Sequence, residues 1–431
     1  MKNIKIAILG FGNIGKGVWK ILQENREKII SSSGCEIEVA KILVKDMGKP
    51  RSVIVPEGVL TDSFDSILED GEIKVVIELM GGSFPAKEHM LEAMRAKKHV
   101  ITANKLVLAK WGEELFEAAS EAGVQFYYEA SVGGGIPVIR EINESLAGNR
   151  IEQVISIING TTNYILSKMT MEGSSFETAL AEAQEKGYAE ADPTSDVEGY
   201  DAAYKLSIMA LLAFGVRINP DNIYREGISG LDIMDIDYAK KFGYVIKLLA
   251  IAKDKDKKLE LRVHPALVPA GHPIANVNDS FNAVFIRGNA VGELMLYGRG
   301  AGELPTGSAV VGDLISILRN SAAPVNSNKA ADSSCQRKVK QAEENMPEFY
   351  VRLNVNDVAG TLGKISTIFG RNNISILSVT QDINRDGNVS LVFFTHKALE
   401  RDMKDSLKKI GRLENVNKIE SLLRVESFEQ D

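Results

Sequence analysis

Ile4-Lys5-Ile6-Ala7-Ile8-Leu9-Gly10-Phe11-Gly12-Asn13-Ile14-Gly15 is the stretch that decides the fold. Its first half is a short, largely apolar run, the pattern of a strand buried in a parallel sheet. The second half spells G-x-G-x-x-G, and residues 16–30 follow as a helix. The glycine spacing alone is a weak signal, but the strand before it and the helix after it are what a dinucleotide turn requires. Gly10 allows the tight turn and Gly12 lets the backbone approach a pyrophosphate. Phe11, Asn13, Ile14 and Gly15 complete the turn and lead into a helix start whose unpaired amides face an anion.

Working outward, residues 37–44 read as a second strand ending in Val44-Lys45-Asp46, with Arg51 close by. A carboxylate for a ribose hydroxyl and cations such as Lys45 for a 2′-phosphate are therefore both available, so NADP is favoured and NAD stays open. Strands at 74–79 and 99–102 flank a helix at 86–97. Strand and helix in alternation predict a doubly wound parallel sheet of the Rossmann type. Thr102-Ala103-Asn104-Lys105 lies at a strand C-terminus, where such sheets bind ligands. Lys105 is either simply solvated there or reaches the point where cofactor and substrate meet.

With 431 residues the chain is too long for one core and predicts two or three domains. A net charge of -7 and the lack of a basic tract give no reason to expect nucleic acid or an anionic membrane as partner. Cys35 and Cys335 are far apart and have no ligand-spaced companions, which excludes a disulfide framework and the usual zinc sites. No apolar run is long enough to span a bilayer and no signal-like segment precedes Ile4, so a cytoplasmic protein is expected.

Chemistry concentrates at residues 187–205, Gly-Tyr-Ala-Glu-Ala-Asp-Pro-Thr-Ser-Asp-Val-Glu-Gly-Tyr-Asp-Ala-Ala-Tyr-Lys. Asp192-Pro193 marks a turn, and the segment after Gly199 is helix-forming. Asp201 and Lys205 then stand four apart on one helical face. Such a pair is commonly a surface ion pair worth about 0.3–0.5 kcal/mol. Here the helix continues into the apolar run 206–214, which favours a buried, functional pair.

Glu129-Ala130-Ser131-Val132-Gly133-Gly134-Gly135-Ile136-Pro137 is a second glycine cluster, read either as a plain crossing between domains or as a loop that aims carbonyls at a hard cation. Residues 151–159 read as a strand, a helix starts near 238, and strands follow at 259–268 and 280–288. His264 and His272 have no triad or ligand partners at useful spacing and are read as structural. The turn through Gly298, Gly300 and Gly302 feeds a helix over 309–318 and suits closure over a cofactor. Residues 320–348 have few large apolar side chains and read as a linker. From Phe349 a strict period of two begins, and a β-α-β-β-α-β order with a hairpin at Asp386-Gly387 forms a small ferredoxin-like domain.

Four motifs carry a resemblance to the homoserine dehydrogenase family over residues 1–318. They are Ala103-Asn104-Lys105, Asn159-Gly160-Thr161-Thr162-Asn163, Gly300-Ala301-Gly302 to Asp313, and the run from Ala183 through Gly187-Tyr188-Ala189, Asp192-Pro193, Asp196-Val197, Gly199 and Asp201 to Lys205. Residues 349–431 resemble an ACT amino-acid sensor. The implied division is a cofactor domain at 1–130 completed by the helix near 305–318, a substrate and dimerisation domain at 131–304, the linker, and the ACT domain.

The resemblance implies NAD(P)-dependent interconversion of L-homoserine and L-aspartate 4-semialdehyde in a homodimer or homotetramer. It implies that Lys205 is the proton donor, with Lys105 beside it and the cofactor. Asp201 orients Lys205, Glu190 holds the substrate amine and Asp196 shapes the pocket. It also implies that Gly187 and Gly302 touch the cofactor. The carbonyls of Glu129, Val132, Gly134 and Ile136 hold a sodium or potassium ion. Asn356, Asp357 and Gly360 form an effector loop, with L-threonine as the expected effector. Two rival readings differ in chemistry. A dehydrogenase working through a thiohemiacetal needs a positioned thiolate, which neither Cys35 nor Cys335 provides. A non-catalytic sensor has no use for both lysines together with Glu190 and Asp201.

Overall fold

The computed structural model describes residues 2–255, 258–319, 337–383 and 389–428. Strand β1 (Lys2–Leu9) passes through the glycine turn into helix α1 (Asn13–Glu24). Asn25, at φ -106°, interrupts the helix before α2 (Arg26–Ser33), so the single helix expected over 16–30 is two. Asn competes for local hydrogen bonds and is a poor interior residue, which explains a break there. Next come β2 (Cys35–Leu43), β3 (Leu60–Thr61), α3 (Asp65–Leu68), β4 (Ile73–Glu78), α4 (Ala86–Arg95), β5 (His99–Thr102), α5 (Lys105–Ala122) and β6 (Phe126–Tyr127). These six strands form one parallel sheet in the order β3-β2-β1-β4-β5-β6. The order reverses at β1 and β4, so the glycine turn sits at the switch point where open parallel sheets bind ligands.

Short α6 (Val138–Arg140) precedes β7 (Ile151–Ile157), α7 (Gly160–Glu172), α8 (Phe176–Glu185), α9 (Thr194–Val197) and α10 (Tyr200–Phe214). Then follow β8 (Tyr224–Arg225), α11 (Ile233–Lys241), β9 (Tyr244–Lys255), β10 (Lys258–Pro269), β11 (Phe281–Gly288), β12 (Gly292–Arg299) and α12 (Glu303–Arg319). Three of these differ from expectation. The helix expected from about 238 starts at Ile233, because Asp232 and Asp235 form a reciprocal capping box. It stops at Gly243, whose φ of 81° suits glycine, and the long strand β9 follows. Likewise α12 starts at Glu303 rather than 309, with Pro305 in the first turn where a missing N–H costs nothing.

The C-terminal part contains β13 (Lys338–Val339), β14 (Glu348–Val355), α13 (Thr361–Arg371), β15 (Ile376–Ile383), β16 (Val389–Thr395), α14 (Glu400–Ile410) and β17 (Val416–Val425). From β14 onward this is the expected β-α-β-β-α-β order, around a core that includes Phe349, Leu353, Phe369 and Phe393. The hairpin at Asp386-Gly387 and Cys335 lie outside the described residues.

The chain forms two compact units. The first takes the described residues of Met1–Val154, Tyr204–Asn222 and Phe281–Gln336, and the second those of Ile155–Ala203, Ile223–Ser280 and Arg337–Asp431. In the first, Val310, Val311, Leu314 and Ile317 of α12 join Ile4, Ile6, Ile8 and Val18 in one core. α12 and α1 approach so closely that a Cβ on Gly17 would stand 2.1 Å from the Glu303 carbonyl oxygen. β11 and β12 pair antiparallel in the same unit. In the second unit the strands run β9-β10-β17-β14-β16-β15. The last strand of the C-terminal module, β17, pairs parallel with β10 through Arg424 and Val425. Among the described residues no helix is long and apolar enough to cross a membrane.

Candidate functional site

The first unit supplies a nucleotide cradle. Gly10 has φ 94° and its Cβ would meet the Leu79 carbonyl oxygen at 2.7 Å, so only glycine fits. A Cβ on Gly15 would meet the Gly10 oxygen at 2.5 Å. Gly12, by contrast, faces open space and caps α1 with no side-chain bond to its first amides. The residues present therefore fit a pyrophosphate: a twelve-residue helix presents its start to a gap that no side chain fills. Beside the cradle, buried Glu78 accepts the Thr102 hydroxyl at 2.6 Å and the Met80 N–H at 2.8 Å. Burial raises its pKa against those hydrogen bonds. Lys45 is exposed. Arg51 is turned onto the carbonyls of Asp46 (2.6 Å) and Lys49 (2.8 Å), where it closes its own loop.

Lys105 and Lys205 both belong to this unit. Lys105 is half-buried and opens α5, whose N-cap Asn104 accepts the Val107 N–H (3.2 Å) and donates to the Gly82 carbonyl (2.8 Å). Lys205 is buried on α10. That helix is less enclosed than its sequence predicts, since Leu211, Leu212 and Ala213 are only half-buried.

The 129–137 loop is held by its own glutamate. Glu129 Oε1 and Oε2 accept the N–H groups of Ile139 and Arg140, each at 2.8 Å, while the Glu129 N–H donates to Asp313 Oδ2 at 2.9 Å. Burial raises the pKa of both carboxyls. Gly133 (φ 75°) and Gly134 (φ 56°) turn the chain, and a Cβ on Gly134 would stand 2.3 Å from the Gly300 oxygen. The carbonyls of Val132 and Gly134 lie in this turn, and that of Ile136 accepts the Val138 N–H at 2.8 Å. Among the described residues no cluster of three or more His, Cys, Asp or Glu could hold a metal, so a cation in the loop would rest on backbone oxygens. Asn282, buried against Gly300, has neither amide atom paired within the protein, a feature without a sequence signal.

The second unit supplies the carboxylates. Asn159 Nδ2 donates to Asp196 Oδ1 (2.6 Å) and to Asp201 Oδ2 (2.9 Å), and Thr161 Oγ1 lies 3.1 Å from Asp196 Oδ2. Asp201 is buried and Asp196 half-buried. Thr161 also donates to the Tyr188 carbonyl at 2.6 Å, which pins the loop carrying Gly187 (φ 74°). Glu190 is exposed in that loop, and Gln184 Nε2 holds its main-chain carbonyl at 3.0 Å. Asn159 and Thr161 thus organise the cluster. They stand in a motif legible in the sequence, but their partners are 35 to 42 residues away.

Cys35 is half-buried on β2 as a free thiol. His264 is buried, its Nε2 2.6 Å from Arg262 Nη1, and His272 stacks on Phe428, in keeping with structural roles. In the C-terminal module a cavity of about 180 Å³ is lined by Asn356 to Leu362 with Gln381, Val389 and Leu391. Asp357 and Gly360 (φ 87°) are exposed at its mouth, and Asn356 Oδ1 accepts from Asn417 at 3.0 Å.

Family models match three parts of the chain: homoserine dehydrogenase, NAD binding domain, over residues 10–129, homoserine dehydrogenase over 137–315, and ACT domain over 349–415. The homoserine dehydrogenase of Bacillus subtilis is 40% identical over 428 residues, covering 99% of each chain. That of Synechocystis is 43% identical over 434 residues, covering 98% of this chain and 99% of its own. The crystal structure of a homoserine dehydrogenase from Thiobacillus denitrificans matches with a TM-score of 0.91 at 40% identity, covering 99% of both chains. A hyperthermophilic archaeal homoserine dehydrogenase mutant in complex with NADPH matches with a TM-score of 0.61 at 28% identity, covering 73% of this chain and 97% of its own.

Proposed function

The chain belongs to the homoserine dehydrogenase family, and on that premise we propose that it reduces L-aspartate 4-semialdehyde to L-homoserine, reversibly, on the route to threonine and methionine. A nicotinamide dinucleotide bound at Gly10–Gly15, NADP in preference to NAD, supplies the hydride. Lys205 holds the proton for the aldehyde oxygen, and Lys105 adds a second positive charge. Cations of this kind act most where negative charge grows, and a unit pair at 4 Å is worth roughly 4 kcal/mol at an effective dielectric near 20. Asp201 orients Lys205, Asp196 shapes the pocket and Glu190 takes the substrate amine. One observation carries this reading: Asp201 and Lys205 are both buried one turn apart on α10, and Asp201 shares its Asn159 donor with Asp196. Buried charges kept together in this way are typical of working sites rather than of surface pairs.

The remaining roles rest on the same premise. Carbonyls of Glu129, Val132, Gly134 and Ile136 hold sodium or potassium, with Gly187 and Gly302 beside the cofactor. Residues 1–130 with α12 form the cofactor domain, 131–304 the substrate domain and 349–431 the regulatory domain of a cytoplasmic homodimer or homotetramer. L-threonine binds at Asn356, Asp357 and Gly360, supported by a cavity well below the roughly 300 Å³ at which drug-sized sites begin. The test is oxidation of L-homoserine by the full chain with NAD and NADP at matched concentrations, with and without threonine. The account expects NADP to be preferred and threonine to change the rate in a way that Asp357→Ala removes. A strong preference for NAD would contradict the cofactor choice, and an unchanged rate would contradict threonine as effector.

A further inference from the structure

The second unit contains a basic pocket that none of these roles uses. It lies along β9 and β10, has a volume of about 350 Å³, and is lined by six cations and three carboxylates. This runs against the net charge of -7 of the whole chain. Two of the carboxylates are committed to the floor: Glu260 pairs with Arg262 Nε at 2.5 Å, and Glu426 pairs with Lys253 at 2.5 Å and Arg262 Nη2 at 3.1 Å. Arg262, Glu260 and Glu426 are buried, so this floor is fixed by its own ion pairs. Its local field is positive. Burial pushes the Glu426 carboxyl up, yet Lys253 and Arg262 outweigh that and its pKa falls below the ordinary glutamate value.

The walls come from separate segments. Lys253 is on β9, Lys340 lies before β14 with its N–H on the Leu259 carbonyl (2.9 Å), and Lys397 follows β16 in the C-terminal module. Lysine ammonium groups are compact charges suited to phosphate and carboxylate oxygens, and the volume falls in the range of small-molecule sites, about 300–1,000 Å³. A concave pocket of this size does not track a nucleic-acid backbone, which calls for an extended basic face. We propose that this pocket binds a small molecule bearing two or more phosphate or carboxylate groups, as an effector site separate from the one at Asn356–Gly360. Its occupant would fasten the β9–β10 hairpin to the regulatory module through Lys340 and Lys397.

The experiment uses the full chain with saturating cofactor, which keeps the α1 cradle filled, at constant ionic strength. Inorganic pyrophosphate and citrate are titrated in separate arms against the thermal midpoint and by calorimetry, for the parent and for Lys340→Gln/Lys397→Gln. Saturable stabilisation is expected in at least one arm, and the arm with the tighter constant identifies phosphate or carboxylate. The double variant should bind about tenfold more weakly or worse, while turnover without either probe stays within about twofold. If the double variant does not fold, Lys397→Gln alone, at an exposed side chain, makes the comparison. An unsaturable rise in both arms, no rise at all, or equal affinity in the variant would overturn the proposal.

Discussion

Asn159 shows what a residue does that its own position does not announce. One amide nitrogen serves two carboxylates, Asp196 and Asp201, which would otherwise repel each other, and its oxygen caps α7 through the Thr162 N–H at 2.8 Å. Asp201 and Lys205 were legible at four-residue spacing, because helical periodicity is local. Asn159 was legible only as a member of a motif, since its partners are 37 and 42 residues away. At Glu190 the main chain is held by Gln184 through a carbonyl bond that does not engage the carboxylate. Glu190→Gln is therefore expected to raise the KM for homoserine by about tenfold, the size of a lost charge-assisted hydrogen bond, with cofactor affinity unchanged. Steady-state kinetics with a separate cofactor titration would check this. A change confined to cofactor affinity would remove Glu190 from substrate binding.

Elements were legible where period and turn chemistry agree. The G-x-G-x-x-G turn sits between β1 and α1 as its spacing demands, and β5 matches its expected limits. β9 was missed because residues 244–252 are apolar apart from Lys247, a pattern shared by buried strands and buried helices. Its partner decides the matter: β9 pairs antiparallel with the next strand, β10, over its whole length. The α1–α12 crossing is a long-range feature, resting on Gly17 and Gly307. A methyl at Gly17 would stand 2.1 Å from the Glu303 oxygen and force the helices apart. Gly17→Ala should cost roughly 1–3 kcal/mol of stability, seen as a lower thermal midpoint. An unchanged midpoint would mean that this crossing is not a tight one.

At the scale of the molecule, the order of parts along the chain was readable but their integration was not. The C-terminal module shares the sheet of the second unit through β17 and β10. It also fixes α11, where Arg352 Nε and the Tyr350 hydroxyl meet buried Asp235 at 2.6 and 2.9 Å. Buried Arg424 adds Glu400 from its own module and Glu226 from beyond it. Cutting the chain before β14 would take Tyr350 and Arg352 away from Asp235 and strip β17 from β10, so the C-terminal module is better probed in the full chain by point substitution. The central claim, that this family member works through Lys205 as proton donor, is tested most directly by the turnover number of Lys205→Ala in homoserine oxidation, with cofactor affinity measured alongside. A fall of about 10²- to 10⁴-fold in kcat with cofactor binding intact is the predicted result. Turnover near that of the parent would contradict it.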